Sequence, residues 1–184
     1  MKSQNTIGCC GIDCGLCPRY HTKGDSACPG CGAESFKEKH PSCGFLTCCV
    51  TKNNQEVCTF CNDFPCKRFD KEQNGYDSFV THQNIFPNHN LIKDEGIERF
   101  IQKQQIRMNI LNYFIDNYDD GRSKSFYCIS CTLLPINELQ KIQHFMGSLN
   151  DNFSLKEKNN VLKEQLLLIA ENLRIKLKLN NKTH

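Results

Sequence analysis

The chain has 184 residues, 39 % of them hydrophobic and 23 % charged, with a formal net charge of +3 at pH 7. That composition suits one ordinary folded domain or two small lobes and excludes a disordered or collagen-like chain. The longest unbroken apolar run, Leu166 to Ala170, falls far short of the roughly 20 residues needed to cross a bilayer. The first residues lack the apolar stretch of a signal peptide. No membrane span is therefore expected, and the chain is read as cytoplasmic, where fourteen cysteines point to metal or reactive thiols rather than to disulfides.

Twelve of the cysteines lie between Cys9 and Cys66; only Cys128 and Cys131 follow. This shift in composition divides the chain into a cysteine-rich metal-binding lobe, 1–66, and a helical lobe, 67–184. The first lobe has few large apolar side chains, so burial alone does not offset its chain entropy. A structural zinc site, with apparent binding energies of about 10–16 kcal/mol, can replace that missing core. Zinc is bound by thiolates, so each four-cysteine site contributes four negative charges against two positive. Two such sites take the chain from +3 to about −1 and leave the first lobe at about −4. A negative zinc lobe argues against nucleic acid as the partner. Only the tail with Arg174, Lys176, Lys178 and Lys182 speaks for it.

Within the first lobe, Cys14-x2-Cys17 and Cys28-x2-Cys31 are two CxxC pairs. Each such turn aims two sulfurs at one ion, and two turns complete a tetrahedron. Cys58-x2-Cys61 is a third pair, followed by Cys66 and preceded by the Cys48-Cys49 doublet, enough for a second four-thiolate site. Cys9, Cys10 and Cys43 are left to exchange with these or to build a third site, because spacing alone does not say which knuckles share an ion. His21 and His40 could ligate, but with twelve thiols at hand they are expected to face solvent.

The run Cys10-x3-Cys14-x2-Cys17 also has the spacing that holds a four-iron cluster, so an iron–sulfur redox protein is the alternative to zinc. Thioredoxin-like chemistry would need a CxxC at the head of a helix inside a βαβ unit, which no N-terminal pair has. Cys128 and Cys131 are read as small buried side chains. Arg122-Ser-Lys-Ser could hold an anion, but suits an exposed turn better.

The region 67–93 suits short helices or a wrapping linker with a break at Pro87. Beyond it, Ile97, Phe100, Ile101, Met108, Leu111, Ile115 and Tyr118 form one helical stripe, interrupted at Gln104 and capped by Asp94 and Gly121. Leu139, Ile142, Met146 and Leu149 predict a second helix with Pro135 near its first turn. Ser154 and Glu157 predict a capping box opening a third, with its stripe on Leu155, Leu162, Leu166, Ile169 and Leu173. Two segments read as extended: Phe126–Leu134, rich in aromatic, β-branched and cysteine residues, and Leu173–Leu179, where apolar and basic residues alternate. Pairing of the two gives an α+β expectation, mostly α, with a short two-stranded element.

The run Cys10-Gly-Ile-Asp-Cys14-Gly-Leu-Cys17-Pro, then Cys28-x-Gly-Cys31, Cys48-Cys49 and Cys58-x2-Cys61-x2-Phe64-Pro65-Cys66, resembles a domain-of-unknown-function family of prokaryotic cysteine-rich proteins. The segments Asp120–Cys128 and Leu133-Leu-Pro135 are similar to its longer members. Members are described as candidate zinc-binding proteins, with no activity to carry over. The resemblance implies Cys10, Cys14, Cys17, Cys28, Cys31, Cys58, Cys61, Cys66 and the doublet Cys48 and Cys49 as ligands; Cys9 and Cys131 are not regular parts of its pattern. With Cys43 added from the spacing, the expectation is two or three four-cysteine zinc sites in a binding or scaffolding module rather than an enzyme. Its partner would be a protein or a small molecule.

Overall fold

In a computed structural model that describes residues 2–40, 42–150 and 152–180, the chain forms two compact units: Met1–Gln104 with Leu179–His184, and Gln105–Lys178. Eight α-helices occur among the described residues: α1 (Phe36–Lys39), α2 (Gly44–Leu46), α3 (Asp70–Gln73), α4 (Ile85–Glu95), α5 (Ile97–Tyr118), α6 (Lys124–Leu133), α7 (Ile136–Gly147) and α8 (Leu155–Asn172). None of them is long and apolar enough to cross a membrane.

The expected two-stranded element is absent. Among the described residues the β-structure is a single bridge between Ile7 and Asp13. Residues 126–133 lie in α6, where Ser130 and Thr132 turn their hydroxyls back onto the carbonyls of Phe126 and Cys128, each at 2.8 Å. Burial of Tyr127 through Thr132 shows why apolar content misled: a helix buried on most sides has no visible 3.6-residue stripe. The other segment follows α8 without pairing. Arg174 takes a left-handed φ of 56°, and the Ile175 amide bonds the Ala170 carbonyl at 2.8 Å, so the alternation from Leu173 to Leu179 follows a helix stop.

The first unit has its apolar cluster in Ile7, Val57, Ile92 and Phe100, with Leu91, Ile97 and Ile101 against it. Pro87 does not break the chain there. It sits in the first turn of α4, where a missing N–H costs little. Asp94 belongs to α4 rather than capping α5, because Gly96 at φ 88° separates the two helices. Gln104, the interruption in the α5 stripe, is 2 % exposed. Its amide donates to the Thr6 carbonyl at 2.9 Å and to Asp13 Oδ1 at 3.0 Å. Asn88 Nδ2 donates to Asp13 Oδ2 at 2.9 Å and to the Gly11 carbonyl at 2.9 Å. A buried carboxyl group with donors on both oxygens thus anchors the turn that carries Cys9 and Cys10.

In the second unit, Met108, Leu111, Phe114, Tyr127, Leu139, Ile142, Leu162 and Leu166 are buried. The capping box at Ser154 and Glu157 forms. The α8 stripe is shifted from the one expected, with Asn159, Leu162, Leu166 and Ala170 inward and Leu155 and Leu173 exposed. Asn159 supplies a buried polar tie, donating to the Tyr118 carbonyl at 2.7 Å and Ser123 Oγ at 2.8 Å.

By periodicity alone, Gln104→Leu would complete the α5 stripe and stabilise the protein. The structure leads to the opposite expectation. Removing one of the donors to Asp13 should cost about 3 kcal/mol, measured as a loss of urea stability of the full chain.

Candidate metal centre

The turn between Ile7 and Asp13 is tight, with the Gly8 amide on the Ile12 carbonyl at 2.8 Å and the Gly11 amide on the Gly8 carbonyl at 2.9 Å. It presents Cys9 and Cys10 at its tip. The third CxxC docks directly on it, the Cys58 amide donating to the Cys9 carbonyl at 2.9 Å. The first and third CxxC pairs fold alike, each as a single 3₁₀ turn. The Cys17 amide returns to the Cys14 carbonyl at 3.1 Å, and the Cys61 amide to the Cys58 carbonyl at 3.0 Å. Their closing cysteines have the same backbone to within a degree, φ −80° with ψ 135° at Cys17 and 134° at Cys61. The second pair is shaped differently: Gly30 at φ 90° lets the Cys31 amide reach the Asn5 carbonyl at 2.8 Å.

None of the fourteen cysteines is in a disulfide. The twelve of the first unit divide completely between two cavities. Cys9, Cys10, Cys14, Cys17, Cys28, Cys31 and Cys43 line a cavity of about 160 Å³, together with His40. Cys48, Cys49, Cys58, Cys61 and Cys66 line one of about 30 Å³. All eleven cysteines expected as ligands therefore face one of these two spaces, and Cys9, which the family pattern leaves aside, joins them.

The sulfurs meet in pairs rather than as finished sets. Among the described residues no group of three or more His, Cys, Asp or Glu side chains stands ready to hold an ion. Cys9 Sγ and Cys31 Sγ are 3.8 Å apart. A tetrahedral zinc site with Zn–S bonds of about 2.3 Å has sulfur–sulfur edges of about 3.8 Å, so this pair already has the separation of two zinc ligands. Cys49 Sγ, which donates to the Gln55 carbonyl at 3.2 Å, lies near enough to Cys9 and Cys58 for each to affect its acidity. The chain Cys31–Cys9–Cys49–Cys58 links the walls of the two cavities and takes one cysteine from each of four segments. The CxxC partners are split: Cys31 faces Cys9, while Cys28 Sγ lies 3.6 Å from His40 Nε2.

These thiols are hard to ionise all at once. Cys9 and Cys58 are pushed above the usual thiol range, first by hydrogen bonds to their sulfur neighbours and then by burial. Cys31 and Cys49 are drawn down, to about 7 and about 4, first by those same hydrogen bonds and further by the Lys2 charge. Lys2 has a fully buried side chain and pairs with Glu56 at 3.2 Å. Burial pushes Cys10 up to about 12, and burial and neighbouring sulfurs hold Cys14 well above the usual thiol range. A bound divalent cation reverses this balance, because it stabilises every thiolate it touches. The donor set fits such an ion.

The remaining candidates separate clearly. His21 Nε2 lies 2.7 Å from the Gly15 carbonyl oxygen, whereas His40 faces the larger cavity instead of solvent alone. Cys128 and Cys131 lie one turn apart in α6, 2 % and 0 % exposed, and burial pushes the Cys131 thiol up to about 12. The Arg122–Ser125 turn has no amides to spare for an anion at its start. Asp119 accepts from Gly121 and Ser123, and Asp120 from Arg122. The sequence left Cys9 among the spare cysteines and gave His40 as expected to face solvent. The signal for Cys9 was its adjacency to Cys10, a doublet like Cys48-Cys49; His40 had none, since its nearness to Cys28 depends on the fold of residues 24–39.

In comparisons with known proteins, the chain matches no family model, no curated protein and no solved structure.

Gly11 holds the turn against α4: at φ 85°, a Cβ there would lie 2.6 Å from His89 Nε2 and 2.9 Å from the Ile85 carbonyl oxygen. Gly24, at φ 81°, has open space around it. Gly24→Ala should cost about 1 kcal/mol, and Gly11→Ala at least about 3 kcal/mol, compared by urea denaturation of the two purified variants.

Proposed function

We propose that the first unit is a thiolate metal centre that binds two or three structural zinc ions, and that the chain serves as a binding or scaffolding module. The observation that carries this reading is the division of all twelve cysteines of the unit between two cavities. A set of buried thiols serving only as small apolar side chains would scatter through the core, as Cys128 and Cys131 do in α6. The 3.8 Å separation of Cys9 and Cys31 supports zinc in particular. Four-thiolate zinc keeps no open position for water or substrate, so the function lies in the surface that the metal holds in shape.

A second reading has its own support. The larger cavity, about 160 Å³ and lined by seven cysteines including Cys10, Cys14 and Cys17, has more room than a single ion needs. An iron–sulfur cluster would use that space, and the protein would then carry electrons.

Metal analysis of anaerobically purified protein separates the two. The zinc reading expects two or three zinc ions per chain, no sulfide and no absorbance near 400 nm; iron with sulfide and brown colour would establish the cluster instead. In the zinc-loaded protein, Cys9→Ser should lower zinc by one equivalent, whereas Cys128→Ser should leave the zinc content unchanged. Chelation should unfold the first unit, seen as loss of near-ultraviolet dichroism. A chain that keeps its fold without metal would sink both readings.

A further inference from the structure

The two cavities do not account for His40 in the same way as for the cysteines. Its side chain is placed by three features of the fold. His40 closes α1, its amide on the Phe36 carbonyl at 2.9 Å. Its ring stacks on Phe36 with centroids 4.6 Å apart and planes at 23°, and Phe36 is itself 7 % exposed. The Lys39 ammonium donates to the Asp25 carbonyl oxygen, tying the end of α1 to the loop that leads into Cys28. The result is Nε2 of His40 at 3.6 Å from Cys28 Sγ, on the wall of the larger cavity. For zinc with Zn–S of about 2.3 Å and Zn–N of about 2.05 Å, the tetrahedral nitrogen–sulfur edge is about 3.6 Å. The pair thus stands at the separation of two ligands on one ion.

Cys14 and Cys17 line the same cavity as Cys28 and His40. They close one 3₁₀ turn, the Cys17 amide on the Cys14 carbonyl at 3.1 Å. Cys31 is engaged with Cys9. We infer that Cys28 and His40 are ligands to one zinc ion in the larger cavity, a three-cysteine, one-histidine site completed by two more of the cysteines that line it, separate from the ion held by Cys9 and Cys31. This rests on the zinc reading above and names a ligand outside the thiols. It also divides Cys28-x2-Cys31 between two ions, so that this pair links the two centres instead of closing one.

A neutral imidazole in place of a fourth thiolate leaves the site one negative charge lower. It also makes the two centres distinguishable by spectroscopy. The full chain loaded with cadmium-113 is the probe. Its cadmium spectrum should contain one resonance in the range of three sulfurs and one nitrogen, correlated through bonds to the ring protons of His40, besides resonances in the four-sulfur range. His40→Cys should move that one resonance into the four-sulfur range and keep the metal count. His40→Ala should weaken one zinc equivalent by more than about 100-fold, since loss of a group that merely orients a ligand already costs 10- to 100-fold.

Cadmium resonances all in the four-sulfur range, with no ring-proton correlation, would overturn the histidine ligand while leaving thiolate zinc intact. Full zinc affinity in His40→Ala would do the same. A chain that takes up no zinc or cadmium would overturn the metal reading itself, and with it this site; iron and sulfide in the same cavity would replace both with the cluster.

Discussion

Four segments of the first unit meet around Cys9. The turn that carries it meets the second CxxC through Cys31, the helical segment after α2 through Cys49, and the third CxxC through Cys58. The Cys9 carbonyl receives the Cys58 amide as well, so the same residue organises backbone and sulfur. Buried thiols packed this closely gain little from one another while protonated and repel when ionised. A cation at their centre reverses the sign of that interaction. On the zinc reading proposed above, an ion at that point would add to the stability supplied by buried apolar side chains such as Ile7, Val57, Ile92 and Phe100.

The polar supports around the turn are consistent with that dependence. Asp13 is 6 % exposed and Gln104 2 % exposed, and their hydrogen bonds tie the base of the turn to α4 and α5. Lys2 adds a buried positive charge close to Cys31 and Cys49, balanced by Glu56. Glu56 is itself held below the usual carboxylate range, with burial outweighed by hydrogen bonds from the Ser3 and Gln4 amides. His89, 1 % exposed, packs its ring against Gly11 and is kept neutral by burial, its pKa lowered to about 4. These groups set the position of Cys9 and Cys10 without touching the space that an ion would occupy.

The second unit is built on a different principle. Its helices pack aromatic and aliphatic side chains, and its buried polar groups are spent on helix ends. Arg107 donates to the carbonyls of Cys131 and Leu134, at 2.5 Å and 2.6 Å, satisfying acceptors at the end of α6. Asn159 does the same for the end of α5 through Tyr118. Its two cysteines have become ordinary core residues, which shows that cysteine content alone does not make a metal site. The twelve of the first unit are instead grouped around two spaces.

Much of this could be read from the chain. The CxxC spacings, the charge of thiolate sites, the capping box at Ser154 and the helical stripes follow from local chemistry and periodicity, which a sequence carries directly. So did the setting apart of Cys128 and Cys131 from the twelve. What the chain could not disclose were the long-range relations. Gln104 looked like a flaw in a stripe until Asp13 lay opposite it. Phe126–Leu134 looked extended because burial on most sides erases helical periodicity. The grouping of the sulfurs also belongs to the fold: a CxxC spacing places two sulfurs near each other, but the turn at Gly30 and the docking of Cys58 on Cys9 decide which segments each sulfur faces. Local spacing determined that this chain gathers thiols; only the tertiary structure decided that Cys9 stands among them and that Cys28 faces His40, because those neighbours are brought together by contacts between separate segments, the Cys58 amide on the Cys9 carbonyl and the Lys39 ammonium on the Asp25 carbonyl.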